Sequence, residues 1–199
     1  MEFAVNANLK QELTDLIVRH IAEEGLTYYE AKRKAAKQTK TAEHNVLMPS
    51  NDTIETALRD YLITFVPEYS SELLRLRKLA CIWLSKLDNL IMVTHGHATL
   101  FAVGAVVNGT ATQHSPIHIH IFTDDFKDLE IALLNSHIAL EHTEKKVNQH
   151  YYPAIVAQEA DVPIVMTILP VSQYVFAKTV QTATHAQLQA IIKVSVLKL

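Results

Sequence analysis

Glycine and proline are scarce in this chain, four and six among 199 residues, too few for a loop-rich or collagen-like protein. A single cysteine, Cys81, excludes an intramolecular disulfide framework and fits a reducing cytoplasm. Long apolar runs are missing as well. The longest stretch, 98–107, falls well short of the roughly 20 residues that cross a bilayer, so no membrane association is expected. The N-terminus, with Glu2, lacks the basic-then-apolar run of a secretory signal, which predicts a cytoplasmic protein. Neither sign of charge dominates: the formal net charge of -3 makes the whole chain no generic binder of nucleic acid or anionic membrane. Also absent are a Gly-x-Ser-x-Gly elbow and a Gly-x-Gly-x-x-Gly dinucleotide fingerprint.

What is present is a globular composition, 49% hydrophobic and 20% charged. The length suits one domain or a domain with a helical extension. Histidine is the one unusual count, eleven in all.

The first half reads as helices. Leu9, Leu13, Leu16, Ile17 and Ile21 recur at three- and four-residue steps, and Gly25 stands where that helix stops. Thr27 and Glu30 have capping-box spacing and open a short helix through a basic run. After a polar loop over 41–50, Asn51 or Asp52 caps a helix carrying Ile54, Leu58, Tyr61, Leu62 and Phe65, ended by Pro67. A longer helix over 71–87 buries Leu73, Leu76, Ala80, Trp83, Leu84 and Leu87, with Cys81 in the core.

Beyond Asn89 the period changes. Residues 100–107 have strand character, and 117–122 alternates, with Ile117, Ile119 and Ile121 on one face and His118 and His120 on the other. Asp124 caps a helix through Leu129 and Leu133, two strands follow over 151–156 and 164–169, and Thr184 caps a last helix. The expectation is an α/β (α+β) mixed sheet with helices over 91–199, preceded by a helical region over 1–90. The join lies near 89–94, and the helix over 71–88 packs with the sheet.

The stretch from Gly104 to His118 carries the strongest signal. Gly104, Gly109 and Ser115, set between two strands, resemble the signature of the nucleotidyltransferase superfamily: Gly-Ser, three residues, Gly, then Ser-Asp-x-Asp on a second strand. That resemblance spans residues 72–170. It implies a glycine-led turn whose backbone N–H groups approach phosphates, and paired carboxylates that hold Mg²⁺. The chain departs from it at the metal site. Ala105 stands for the serine, Pro116 and His118 stand for the two aspartates, and the third-carboxylate strand over 164–169 offers only Thr167. Imidazole is a poor Mg²⁺ ligand, so the usual two-metal site is not expected. Together with the basic segment at Tyr28 and Tyr29, these motifs also look like a group of bacterial proteins of about this length, some of which carry the label UDP-N-acetylmuramate–alanine ligase. A muramyl ligase needs a Gly-Lys phosphate loop, and no Gly-Lys pair occurs here.

The reading that follows is a catalytically degenerate nucleotidyltransferase-like protein acting as a binding or regulatory module. Gly104, Gly109, Thr110, Ser115, His118 and His120 are its candidate contacts to a nucleotide or other phosphate ligand. Two alternatives stand beside it. One is an active transferase using Asp124 and Asp125 as relocated carboxylates, although such aspartates are commonly helix caps. The other is a protein that binds Zn²⁺ or another transition metal through His118, His120 and His114, with His95 and His97 as a second His-x-His pair. The same alternation also describes a half-buried face of structural histidines. Lys32, Arg33, Lys34, Lys37 and Lys40 form a basic patch able to contact nucleic acid or to serve as a solvated helix face. Glu141, His142 and Glu144 are expected on a polar edge strand, and a protein partner or a homo-oligomer is also compatible with the chain.

Overall fold

In a computed structural model the chain divides into two compact units, Met1–Ser70 and Ser71–Leu199. The structure describes residues 2–42, 46–94, 97–136, 138–174 and 182–196. The division falls two residues into the long helix, most of which therefore belongs to the second unit, and not near 89–94.

The first unit holds helices α1 (Glu2–Glu24), α2 (Tyr28–Gln38) and α3 (Asn51–Phe65). Of the expected stripes, Leu13, Ile17 and Ile21 of α1 and Ile54, Leu58 and Leu62 of α3 are buried, joined by Ala31 and Ala35 of α2, whereas Leu9, Leu16 and Tyr61 are half-buried and Phe65 is exposed. Gly25, at φ +69, ends α1, and the Leu26 N–H closes the turn onto the His20 carbonyl at 3.3 Å. Thr27 and Glu30 form the complete capping box of α2. The cap of α3 is Ser50, not Asn51 or Asp52; its extended backbone lets its Oγ accept the Thr53 N–H at 3.2 Å. One buried polar residue had no sequence signal. His20 sits between Glu24 (2.7 Å) and Gln38 (2.9 Å), tying α1 to the end of α2.

The second unit is an α/β mixed fold. Helix α4 (Tyr69–Val93), whose first two residues belong to the first unit, precedes β1 (Thr99–Val103) and the short α5 (Ala105–Asn108). Then come β2 (Ile117–Phe122), α6 (Phe126–Asn135), and the strands β3 (Leu140–Val147), β4 (His150–Glu159) and β5 (Val162–Leu169). A 3₁₀ turn (Val171–Gln173), β6 (Thr182–Ala183) and α7 (His185–Val196) complete it. Thr184 caps α7 as expected, its Oγ1 accepting the Gln187 N–H. The six strands form one sheet in the order β3-β4-β5-β2-β1-β6, with only β2 and β5 parallel.

Several boundaries differ from expectation: β4 and β5 extend over the turn expected between them, and two others have a clear cause. The strand begun at Leu100 stops at Val103, and Val106 and Val107 are helical, because Gly104 turns the chain before the β-branched pair. Helix α4 runs past Leu87 through Asn89, since Asp88 and Asn89 lie on its exposed side and do not interrupt the buried stripe.

Ile117, Ile119 and Ile121 are buried in register with Ile164, Met166 and Ile168 of β5. Helix α4 covers this isoleucine face. Its Trp83, 1% exposed, donates its Nε1–H to Glu159, which points to the same face, at 3.2 Å. Ser85 of α4 meets His185 of α7 at 3.1 Å. No helix among the described residues is long and apolar enough to cross a membrane.

Candidate functional site

Strand alternation sends His118 and His120 to the sheet face opposite the isoleucines, as expected from the sequence. The register then fixes their neighbours. His118 lies between Val103 of β1 and Val165 of β5, and His120 between Phe101 and Thr167. Continuing outward from Val165, the same row runs through Val156 of β4 to Glu141 on the edge strand β3, roughly 14 Å from His118 at one strand spacing per step. Phe101, Val103, Phe122 and Leu169 form a buried cluster on this face, with Val147, Tyr152 and Tyr174 packed against it. Phe122 stands edge-on to His120 at 6.3 Å, and Tyr174 stacks on Phe101 at 5.9 Å.

Both imidazoles are half-buried, and among the described residues neither has a hydrogen-bond partner. Among the described residues no fully buried side-chain nitrogen or oxygen lacks a partner, so the ring nitrogens reach solvent. Burial pushes both down from 6.5 to about 4. For His118 the positive charge of Lys145 and the neighbouring His120 add to this. At pH 7 the face therefore presents two neutral imidazoles, each able to donate one hydrogen bond and accept another. Lys145 comes from β3, paired with Tyr152 on the same face.

Gly104 follows Val103, the residue opposite His118, so the glycine turn borders the imidazole face. Its backbone, φ +72 and ψ -144, is open to glycine and strained for other residues. A Cβ there would meet nothing within 4 Å, which makes the requirement purely conformational. Gly104→Ala is accordingly expected to lower stability by about 1–3 kcal/mol through backbone strain. Chemical denaturation checks this, and a loss under about 0.5 kcal/mol would contradict it.

Beyond Gly104 the loop satisfies itself. Gly109 takes the left-handed conformation that ends α5. Thr110 is buried and donates both its N–H and its hydroxyl to Asn108 Oδ1, at 3.1 and 2.7 Å. Ser115 Oγ accepts the Thr112 N–H at 2.9 Å. These side chains hold the loop's own shape. The buried Arg77 of α4 donates to the carbonyls of Val106 (2.9 Å) and Val107 (3.3 Å), fixing α5 from below. Sequence reasoning missed it, because an arginine within a helical stripe looks like a surface residue.

The other candidates disperse. Asp124 does not cap α6; its Oδ1 accepts the Val171 N–H at 3.2 Å. Asp125 holds the cap position, but at φ -108 and ψ 58 its carboxylate makes no capping bond. Both are exposed beyond the end of β2. His114 is exposed beside Gln113, and the carbonyl of His97 accepts from Thr123 Oγ1, while His95 lies outside the described residues. Among the described residues no three histidine, cysteine, aspartate or glutamate side chains gather in a way that could hold a metal ion. In the basic patch Lys34 pairs with Glu24, Lys32 reaches Asn51 at 2.8 Å, and Arg33 lies over the Tyr29 ring. Lys37 and Lys40 extend into solvent. Glu141, His142 and Glu144 lie on the exposed edge strand β3, where His142 meets Glu130 of α6 at 3.4 Å.

The face thus gains from folding what the sequence did not single out: Lys145, Tyr152 and the rings of Phe101, Phe122 and Tyr174. Matching parity along paired strands was the available signal for Phe101 and Phe122. Compared with known proteins, the sequence matches no family model and no curated protein.

Proposed function

We propose that the second unit is a ligand-binding module of nucleotidyltransferase-like organisation. It holds a nucleotide or other phosphate-bearing molecule on the imidazole face and performs no Mg²⁺-dependent transfer. The observation that carries this reading is the absence of carboxylates where such chemistry needs them. On the described imidazole face, β2 offers Pro116 before the strand and then His118, and the parallel β5 offers Val165 and Thr167 beside the histidines. The order strand, glycine turn, short helix, loop, antiparallel strand supports the organisation. Ring nitrogens without a partner among the described residues, at the border of the Gly104 turn, support binding. A transition metal is less well served, since among the described residues no third donor gathers and the charge of Lys145 disfavours a further positive charge at His118.

The test is an assay of nucleotidyl transfer from labelled ATP and UTP with Mg²⁺. No transfer is expected from the wild type. Robust transfer that disappears in Asp124→Ala or Asp125→Ala would replace this reading with that of an active enzyme using relocated carboxylates.

A further inference from the structure

We infer that β3 is a dimerisation edge, on which a second copy of this chain lays its own β3 antiparallel, about a twofold axis at Thr143. This is independent of any ligand on the imidazole face. The edge is open: β3 ends the sheet, and β4 is its one strand neighbour among the described residues. The opposite edge strand, β6, has only two residues. All eight residues of β3 pair with β4 in unbroken register, so no bulge bends the strand, and it holds no proline. Glu141 through Lys146 are exposed. Of the devices that commonly keep sheet edges from pairing, β3 carries charge, and its charges are of both signs.

The hairpin fixes which backbone groups face outward. Asn148 and Gln149, both at positive φ, form a two-residue turn, so Val147 and His150 are the hydrogen-bonded pair that closes it. Hydrogen-bonded and non-hydrogen-bonded pairs alternate from there, which makes Glu144 and Pro153 a non-hydrogen-bonded pair. Pro153 agrees, having no N–H to give. Leu140, His142, Glu144 and Lys146 therefore turn their N–H and C=O groups away from β4, toward the free edge.

A second β3 meets those groups only with even residues opposite even and odd opposite odd, which puts the axis on a residue. Centred on His142, no two opposite charges meet. Centred on Glu144 or Lys145, two like charges coincide at the axis, which is destabilising. Centred on Thr143, Glu141 faces the partner's Lys145 twice on one face of the sheet. On the other face His142 meets the partner's Glu144, and the two Thr143 side chains meet at the axis. Opposite charges and threonine pairs are stabilising cross-strand combinations. The mixed charges of β3 thus oppose other registers and admit this one, and the isologous contact closes at two copies.

Sedimentation velocity on the whole chain, at low salt and at concentrations up to about 100 µM, reads the assembly. The wild type should form a dimer of twice the 22.4 kDa chain mass, favoured by concentration. Glu141→Lys, and separately Lys145→Glu, sets like charges opposite each other in both pairs and should weaken dimerisation at least about tenfold. Both positions are exposed on an edge strand, and circular dichroism verifies that the variants fold. An equimolar mixture of the two variants restores both opposite-charge pairs, so it should dimerise within about threefold of the wild type. That rescue requires residue 141 of one copy to lie opposite residue 145 of the other. A wild type that stays monomeric, a dimer indifferent to both substitutions, or a mixture no better than its components would overturn the inference.

Discussion

Lowering the pH from 7 to 4 is expected to destabilise the second unit through His118 and His120. In the unfolded chain both rings take up a proton near 6.5, whereas in the folded chain burial holds that step down to about 4. Between those values the unfolded state binds more protons, so stability falls as the pH falls through the window. Above 6.5 the pair has no effect, and below 4 its penalty is complete. A shift of this size corresponds to about 3 kcal/mol per ring if fully realised. Because the ring edges reach solvent, we expect about half of that, about 3 kcal/mol for the pair. The comparison is between denaturation midpoints of the wild type and of His118→Gln with His120→Gln at pH 7, 5.5 and 4. The difference between the two proteins should shift in the variant's favour as acid is added. Parallel pH curves would show that the rings are not buried as described.

The second large effect concerns Trp83. Its indole is buried under α4 against the isoleucine face, its N–H is held by Glu159, and the Lys86 ammonium lies 4.8 Å over the ring. Trp83→Ala should cost about 3–5 kcal/mol, the range for deleting a fully buried aromatic side chain. Trp83→Phe refills most of the volume and forfeits the bond to Glu159, so about 1–2 kcal/mol is expected. Glu159→Gln should cost less than either, because that end of the bond is exposed. Urea unfolding followed by far-UV circular dichroism checks the series. A Trp83→Ala loss under 1 kcal/mol would mean that α4 does not seal the sheet.

The sheet face was legible because a strand has period two: once the isoleucines are buried, His118 and His120 have only the other side to occupy. Capping chemistry was equally direct at Thr27, Glu30 and Thr184, where each side chain answers a local N–H. Elsewhere local rules competed. Val106 and Val107 favour a strand by propensity, but the turn at Gly104 and the bonds from Arg77, about thirty residues earlier, make them helical. Asp124 and Asp125 looked like caps by position, yet the backbone angles of Asp125 and the Val171 amide beside Asp124 redirect both. Lys145 was invisible for a different reason. Its relation to His118 exists only after β3, β4, β5 and β2 are laid side by side, and no periodicity within one segment encodes that order.

Histidine-selective NMR with a nucleoside monophosphate tests the central claim most directly. Addition of AMP at pH 7.5 should shift the ring resonances of His118 and His120, assigned with the His118→Gln and His120→Gln variants. Those of His142, on the opposite face, and of His20, in the first unit, should stay unmoved. Ring signals of His118 and His120 that remain still while AMP binds would place the ligand elsewhere and contradict the assignment of this face as the binding site.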